Sequence, residues 1–584
     1  MVKKCYWISF LIGCLLLVSC TDSGKKSNSH KTQPITTVAL PVGVVSSGEL
    51  AVHSNLLVVN SRYDKSVKAF DLQNKQWLWS TPVSKPASSI AIHHQQVAIT
   101  IPEAGELWLL NLEGEVLEKV IGFQLPWSVV PSPWGWWLAD RLAQRLLHIQ
   151  QGQVNKSIDL NFMPQALLVK EDRLWVAARN TNKIYSMPLN ASQAPLEYKD
   201  LRLPETTHTI DLLAWLGSAP VALTQLANLG TDEQAVSPDT AIRPALIQTS
   251  KSPLMLDLSG NIISRPIALV ANKDESKIWI AGASSHSIQR FESGIRNWQY
   301  QQQEFLSSAV RGLWLEDEQY LWVWQPLDFR LDKLNALNFL SVENHIATPS
   351  IEVDQEWLLG AKLFQTANDS RLSMGWMSCD SCHLDDGQDH KVWRFEQGYR
   401  NTPELGGNMA LMPLHWRGDR GRIDVIELNF RHLMGGTGIA PEIEDASTIT
   451  KEQSPELHAI AKYLDAIPKV KAQAYPALDA AAVARGKTLF QDYQCDSCHT
   501  PSTAYSNMQM ENVGTTGKLS FDNGTTFDVP TLNGIAYTAP YLHDGRAETL
   551  KSIFTDHNDS QNHGETNNLS TDQLNDLVQF LKSL

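Results

Sequence analysis

The chain has 584 residues, 43% of them hydrophobic and 19% charged, an ordinary globular balance but too long for one hydrophobic core. Its formal net charge is -14 with no basic stripe, which argues against nucleic acid as a partner and fits a neutral or basic protein partner better.

The first predicted element is a targeting segment, residues 1–19. Lys3 and Lys4 precede a short apolar run over 6–18, shorter than the roughly 20 residues a spanning helix needs. The run closes on the string LVSC at Cys20. That string resembles a bacterial lipobox, which implies cleavage before Cys20, lipidation of its thiol, and a membrane-anchored chain in the cell envelope facing the periplasm or the exterior. Plain signal cleavage is the alternative. Residues 20–38 are rich in Ser, Lys and Thr and read as a flexible tether.

Residues 39–345 read as β. Short apolar runs begin at Leu56, Val97, Trp136, Leu174, Val221, Lys277 and Leu321, and the early spacings are close to 40 residues. Several runs lead through a polar turn into a second strand. A unit of about 40 residues with this texture predicts propeller blades, and seven are counted, the fifth stretched by an insertion over 227–244. Two sandwich domains are the alternative.

Two lobes of mainly α-helical character follow, 350–470 and 478–584. GAKLF at Gly360 is echoed by GKTLF at Gly486, and LHAIAKYL from Leu457 by LNDLVQFL from Leu574. Leu574, Leu577, Val578 and Leu581 make one helical face, and Ser570 with Gln573 offers a capping box. The predicted architecture is therefore multidomain: an all-β propeller of seven blades followed by two duplicated helical lobes.

Each lobe contains CDSCH. Of seven cysteines, two lie in the targeting segment and one is Cys20; the other four are Cys379, Cys382, Cys495 and Cys498. CxxCH is the attachment motif for haem c: the thiols join the vinyl groups and the next histidine takes the iron. Zinc would need further ligands at finger spacing. Two haem groups are thus expected, with His383 and His499 as proximal ligands. The sixth ligands decide whether an iron is open to substrate. The candidates are His390, His415, His432, His458, His543, His557 and His563, with Met434, Met508 and Met510.

The strings RNTP at Arg400, HWRGDR at His415 and VPTLNGIAYTAPYLHDGRAETL from Val529, with both CDSCH motifs, resemble the bacterial di-haem cytochrome c peroxidase superfamily. The resemblance covers about 40% of the chain. It implies an oxidoreductase that passes electrons between its haems and reduces peroxide or a related oxidant, fed by a small cytochrome or cupredoxin. Trp416 matches the tryptophan between the haems, Asn401 with the carbonyls of Thr538 and Pro540 matches a calcium site, and His557 stands where the family places the distal ligand of the second haem. The chain departs from the family after Trp416, where NFRHLMGGTGIAP lacks the family's catalytic glutamate. His432 or Met434 is the replacement on offer. The alternative is a non-catalytic electron carrier with a propeller docking module.

Overall fold

The computed structural model describes residues 44–584 except 47, 180, 202, 250–251, 259–260, 296, 407–410, 422, 442–452, 468–477, 518, 520–521 and 523. Cys20, the targeting segment and the tether lie outside these. The seven apolar runs all lie in the second of four consecutive strands of an antiparallel blade: Leu56–Ser61, Gln96–Ile101, Gly135–Asp140, Arg173–Ala178, Ala219–Ala227, Lys277–Gly282 and Tyr320–Gln325, and the sixth blade gains a fifth strand, Val44–Ser46, that pairs with Pro266–Ala271. Neighbouring blades cover both faces of these strands, so they are buried almost throughout and apolar without alternation. The outermost strand of blade 1, Gln76–Pro82, instead alternates between exposed and half-buried positions.

Among the described residues the first and last blades exchange no strand, and each takes four consecutive strands from the chain. The seam closes by packing and by short backbone contacts, with Gly48 bridging Gly312. Leu50, Leu57, Val59 and Phe70 meet Trp322, Trp324 and Leu331, Glu49 N–H donates to the Arg311 carbonyl (2.7 Å), and Trp324 Nε1 donates to the Asn60 carbonyl (2.9 Å). The segment leaving blade 7 then crosses back under blade 1. Lys68 Nζ donates to the Thr348 carbonyl (3.0 Å) and to Ser350 Oγ (2.9 Å), and Ser350 N–H donates to Asp64 Oδ2 (2.6 Å).

Both lobes rest on a crossed helix pair. Helix α1 (Gln355–Gln365) and α3 (Pro455–Asp465) flank the short α2 of the first haem motif (Cys379–Cys382). In the second lobe α4 (Ala480–Asp492) packs on α6 (Thr571–Lys582), with α5 (Leu550–Thr555) between them in sequence. The repeated glycines mark the crossings. A Cβ on Gly360 would collide with the carbonyl of Ala459, and one on Gly486 with the carbonyl of Asp576. Asp354, Ser454, Asp479, Thr549 and Ser570 cap helix N-termini through their side chains, with reciprocal capping boxes at Thr549 and Ser570. Among the described residues no helix is long and apolar enough to cross a membrane.

The insertion of blade 5 reaches the first lobe. Val236 N–H donates to the Arg394 carbonyl (2.7 Å) and Arg394 N–H to the Leu229 carbonyl (2.8 Å). It thereby flanks the hairpin Val392–Phe395 and Gly398–Asn401, which carries the RNTP string into the interface between the lobes.

Candidate functional site

The two CDSCH motifs present their histidines by the same device. In the first, His383 ends α2, and its Nδ1 donates to the Gly387 carbonyl (3.1 Å). In the second, His499 follows a 3-10 turn, and its Nδ1 donates to the Tyr505 carbonyl (2.9 Å). A donor role for Nδ1 leaves Nε2 as the free lone pair, the arrangement a metal-bound imidazole needs. Burial pushes His383 down to about 4 and His499 below its ordinary value, so both rings are neutral at pH 7. Burial also pushes the Cys379 thiol up to about 12 and Cys495 up to about 11. The four cysteines form no disulfide.

A cavity of about 700 Å³ opens beside the second motif, lined by Cys495, Cys498, His499, Phe490, Leu577 and Leu581 among others. His563 lines its far side. The rings of His499 and His563 face each other with centroids 6.4 Å apart and planes 33° from parallel. Two metal–imidazole bonds of about 2 Å each plus the ring radii span about 6 Å, so this donor set and cavity fit a haem iron.

His557, the ligand expected from the sequence, is not among the lining residues. That expectation needed α5 to run on to it, but the helix stops at Thr555 and is capped by Asp556. The chain instead folds around buried Asn558. Its Nδ2 donates to the Gly564 carbonyl (2.8 Å) and Thr566 Oγ1 (3.0 Å), while its Oδ1 accepts from His563 N–H (3.0 Å). This knot aims His563 inward. A buried Asn in a polar run is the sequence signal that was missed.

The lobes meet along a short chain of contacts. Trp416 Nε1 donates to the Asn401 carbonyl (2.8 Å), and Asn401 N–H donates to the His543 carbonyl (2.7 Å). Trp416 and His543 both line the cavity of the second motif. Their loops are counterparts: Leu414 bridges Arg420 in one lobe and Tyr541 bridges Ala547 in the other. The structure brings Asn401, Thr538 and Pro540 to this same cavity wall. Asn401 Nδ2 donates to the Pro540 carbonyl, and its buried Oδ1 has no partner. A cation there would meet amide and carbonyl oxygens, the donors calcium takes.

The remaining first-lobe candidates separate. His432 sits in a π-helical turn, Asn429–Leu433, and is exposed, so it is not turned into the lobe. Met434 is buried in the core that also packs Cys379 and Cys382. His390 is half-buried, with Nδ1 donating to the Ala539 carbonyl (2.9 Å). His415 bonds Asp419 Oδ1 (3.0 Å) at the surface.

Residues 483–584 match the cytochrome c family. The second lobe is a cytochrome c domain. Such domains bind haem c covalently, and Cys495, Cys498, His499 and His563 all fall inside the match. The chain is also similar to hydrazine synthase subunit gamma of Kuenenia stuttgartiensis, with 27% identity over 272 residues, 37% of this chain and 75% of that protein. Among solved structures, hydrazine synthase from the same organism aligns with TM-score 0.44 and 10% identity over 52% of this chain and 99% of that one. Hsv2 of Kluyveromyces lactis aligns with TM-score 0.34 and 12% identity over 52% and 99%.

Unlike that of the cytochrome c domain, the first CDSCH motif is packed against the propeller. Asp385, at φ 57°, receives Arg141 Nη1 (3.3 Å), Arg179 Nη1 (2.9 Å) and Arg265 Nη2 (2.6 Å). Arg265 also pairs with Asp380 inside the motif. Burial alone would raise the Asp385 carboxyl, but the surrounding guanidinium groups, with Arg62 a further one, hold it far below the usual range. Ser378 Oγ donates to Ser284 Oγ (3.2 Å), and Ser264 Oγ to the Trp376 carbonyl (3.2 Å).

Proposed function

We propose that this c-type cytochrome is a di-haem oxidoreductase in which the first CDSCH motif holds the haem where an oxidant reacts and the second holds a haem that relays electrons. The His499/His563 pair carries this reading. His499 and His563 would hold the second iron between two imidazoles and suit it to electron transfer, which would leave the first site for chemistry. When bound, the haems supply one-electron redox chemistry at iron.

The chain's own residues orient, shield and hold protons. The Gly387 and Tyr505 carbonyls fix the tautomers of His383 and His499. Trp416 stands in the wall between the lobes, hydrogen-bonded to the Asn401 backbone, and is the bridging aromatic. Glu404 supplies the proton-holding group that the sequence did not place. Burial pushes its carboxyl up to about 7, and it lies against the Gly387 turn, since a Cβ on Gly387 would sit 3.1 Å from its Oε2. Such a carboxyl serves a reduction that consumes protons.

The oxidant in this reading is peroxide or a related small molecule, and the electron donor a small cytochrome or cupredoxin that tolerates a net charge of -14. Similarity to a hydrazine synthase subunit favours a second reading, a small nitrogen compound as substrate. Calcium at Asn401, Thr538 and Pro540 belongs to the proposal, as does lipid anchoring at Cys20 in the cell envelope. The deciding experiment mixes the reduced protein with hydrogen peroxide and, separately, with hydroxylamine. Rapid reoxidation by peroxide supports the first reading, and by hydroxylamine alone the second. Pure low-spin spectra at both haems without either reaction leave an electron carrier. Loss of detergent partitioning in Cys20→Ala tests the anchor.

A further inference from the structure

We propose that Arg141, Arg179 and Arg265 of the propeller are positioning residues for the first haem, acting through the 384–388 turn that orients His383. The inference rests on the reading that Cys379, Cys382 and His383 hold a haem.

The grip is directed at the carbonyl that matters. Gly387 O accepts from His383 Nδ1. On either side of it, Arg179 Nη2 donates to the Leu384 carbonyl (3.3 Å) and the Gln388 carbonyl (3.2 Å). The same guanidinium reaches Asp385 through Nη1. One planar, fork-shaped cation therefore holds both ends of the turn and its central side chain, which a point charge on a flexible stem cannot do. Arg141 and Arg265 complete the hold on Asp385 from two other blades. A non-glycine residue at φ 57° is kept there only when its surroundings over-determine it.

All of these partners are buried, with side-chain exposures between 4% and 9%. Their geometry is not averaged by solvent, and the pairs are screened little by salt. Partners this buried also fix orientation at a cost in desolvation that a surface bridge does not carry.

The second motif is the internal control. Its Asp496 is the counterpart of Asp380 but makes no ion pair with a described residue, and its His499 is oriented by Tyr505 within its own lobe. The propeller thus acts on one histidine of the two. Removing a cation from the turn that follows His383 also disfavours the reduced form of an iron held there, so the loss of Arg179 is expected to lower the potential of that haem.

The test uses the full-length holoprotein. Mass spectrometry of the wild type counts the haems first. Attachment at Cys495 and Cys498 only overturns the reading on which the inference rests, independently of any variant. With two haems present, Arg179→Gln is expected to change the electron paramagnetic resonance signature of the first haem and lower its midpoint potential, with the second haem unmoved. Arg179→Lys keeps the charge and loses the fork. It is expected to restore most of the potential but not the axial signature. Arg485→Gln, which breaks an exposed pair with Asp576 in the second lobe, is expected to change neither. A wild-type signature in Arg179→Gln, or full rescue of it by Arg179→Lys, overturns the positioning role. If Arg179→Gln does not accumulate, Asp385→Asn carries the same comparison, with an altered first-haem signature expected and an unaltered one overturning the inference.

Discussion

His563 faces His499 across the cavity of the cytochrome c domain with ring centroids 6.4 Å apart, while His557, six residues earlier, is absent from its lining. Replacing His563 with Gly is expected to convert one haem from low-spin to high-spin and to create carbon monoxide binding at that haem alone. His557→Gly is expected to leave the spectrum unchanged. Optical and magnetic resonance spectra of the two variants decide between them, and a low-spin His563→Gly protein would remove His563 as the ligand.

The glycine at each helix crossing makes a stability prediction. Gly486→Ala places a methyl against the Asp576 carbonyl, and overpacking of this kind costs about 1–3 kcal/mol. Gly421→Ala, at a position where a Cβ meets nothing within 4 Å, is the control and should be close to neutral. Thermal melts followed through the second haem's absorbance report the difference.

His286 sits under the ring at the junction with the first lobe, its Nε2 3.3 Å from Thr366 Oγ1. Burial first, then Lys362, pushes it down to about 4 against the opposing charge of Asp328. An unfolded histidine titrates near 6.5, so between about pH 4 and 6.5 the unfolded chain binds more protons and stability rises with pH. This contribution is complete above 6.5 and is lost as the pH falls through about 4, with an upper limit of ~3 kcal/mol. His286→Asn, which tolerates the left-handed backbone there, should flatten the dependence of the melting temperature between pH 4 and 7. An unchanged slope would assign acid sensitivity to other groups.

Arg400 and Asp522 form a buried two-pronged pair (2.9 and 3.0 Å) that ties the RNTP hairpin to the second lobe. Breaking such a pair from one side leaves an uncompensated buried charge and costs about 3–5 kcal/mol. Arg400→Met is expected to fall in that range by chemical denaturation. Arg400→Met with Asp522→Leu should cost clearly less than the sum of the single changes. Additive losses would show that the pair is not coupled.

The blades were legible because their second strands are covered on both faces, and continuous burial writes continuous apolar runs such as LLVVNS and KIWIAG. The helix repeats were legible because Gly360 and Gly486 are needed at both crossings. The CDSCH chemistry is local and so was readable outright. His563 was not, because its direction comes from the hydrogen bonds of Asn558 and not from helical periodicity. The arginine nest was invisible for another reason. Arg141 and Asp385 stand 244 positions apart, and nothing in either neighbourhood names the other. The stretched fifth blade was visible, but not that its loop would line up beside Arg394.

The seam between blades 1 and 7 carries a consequence for how the molecule comes apart. Because neither blade lends a strand to the other, the ring is held there by side chains, by the short backbone contacts of Gly48 and Glu49 with Gly312 and Arg311, and by the segment around Thr348 and Ser350 that crosses beneath Lys68 and Asp64. That segment already belongs to the connection into the haem-bearing half. A cut just after Ile346 therefore takes the latch away with the cytochrome portion, and the chain's modular boundary is not its mechanical one. Under force or limited proteolysis, the ring and the first lobe should yield as a single cooperative unit.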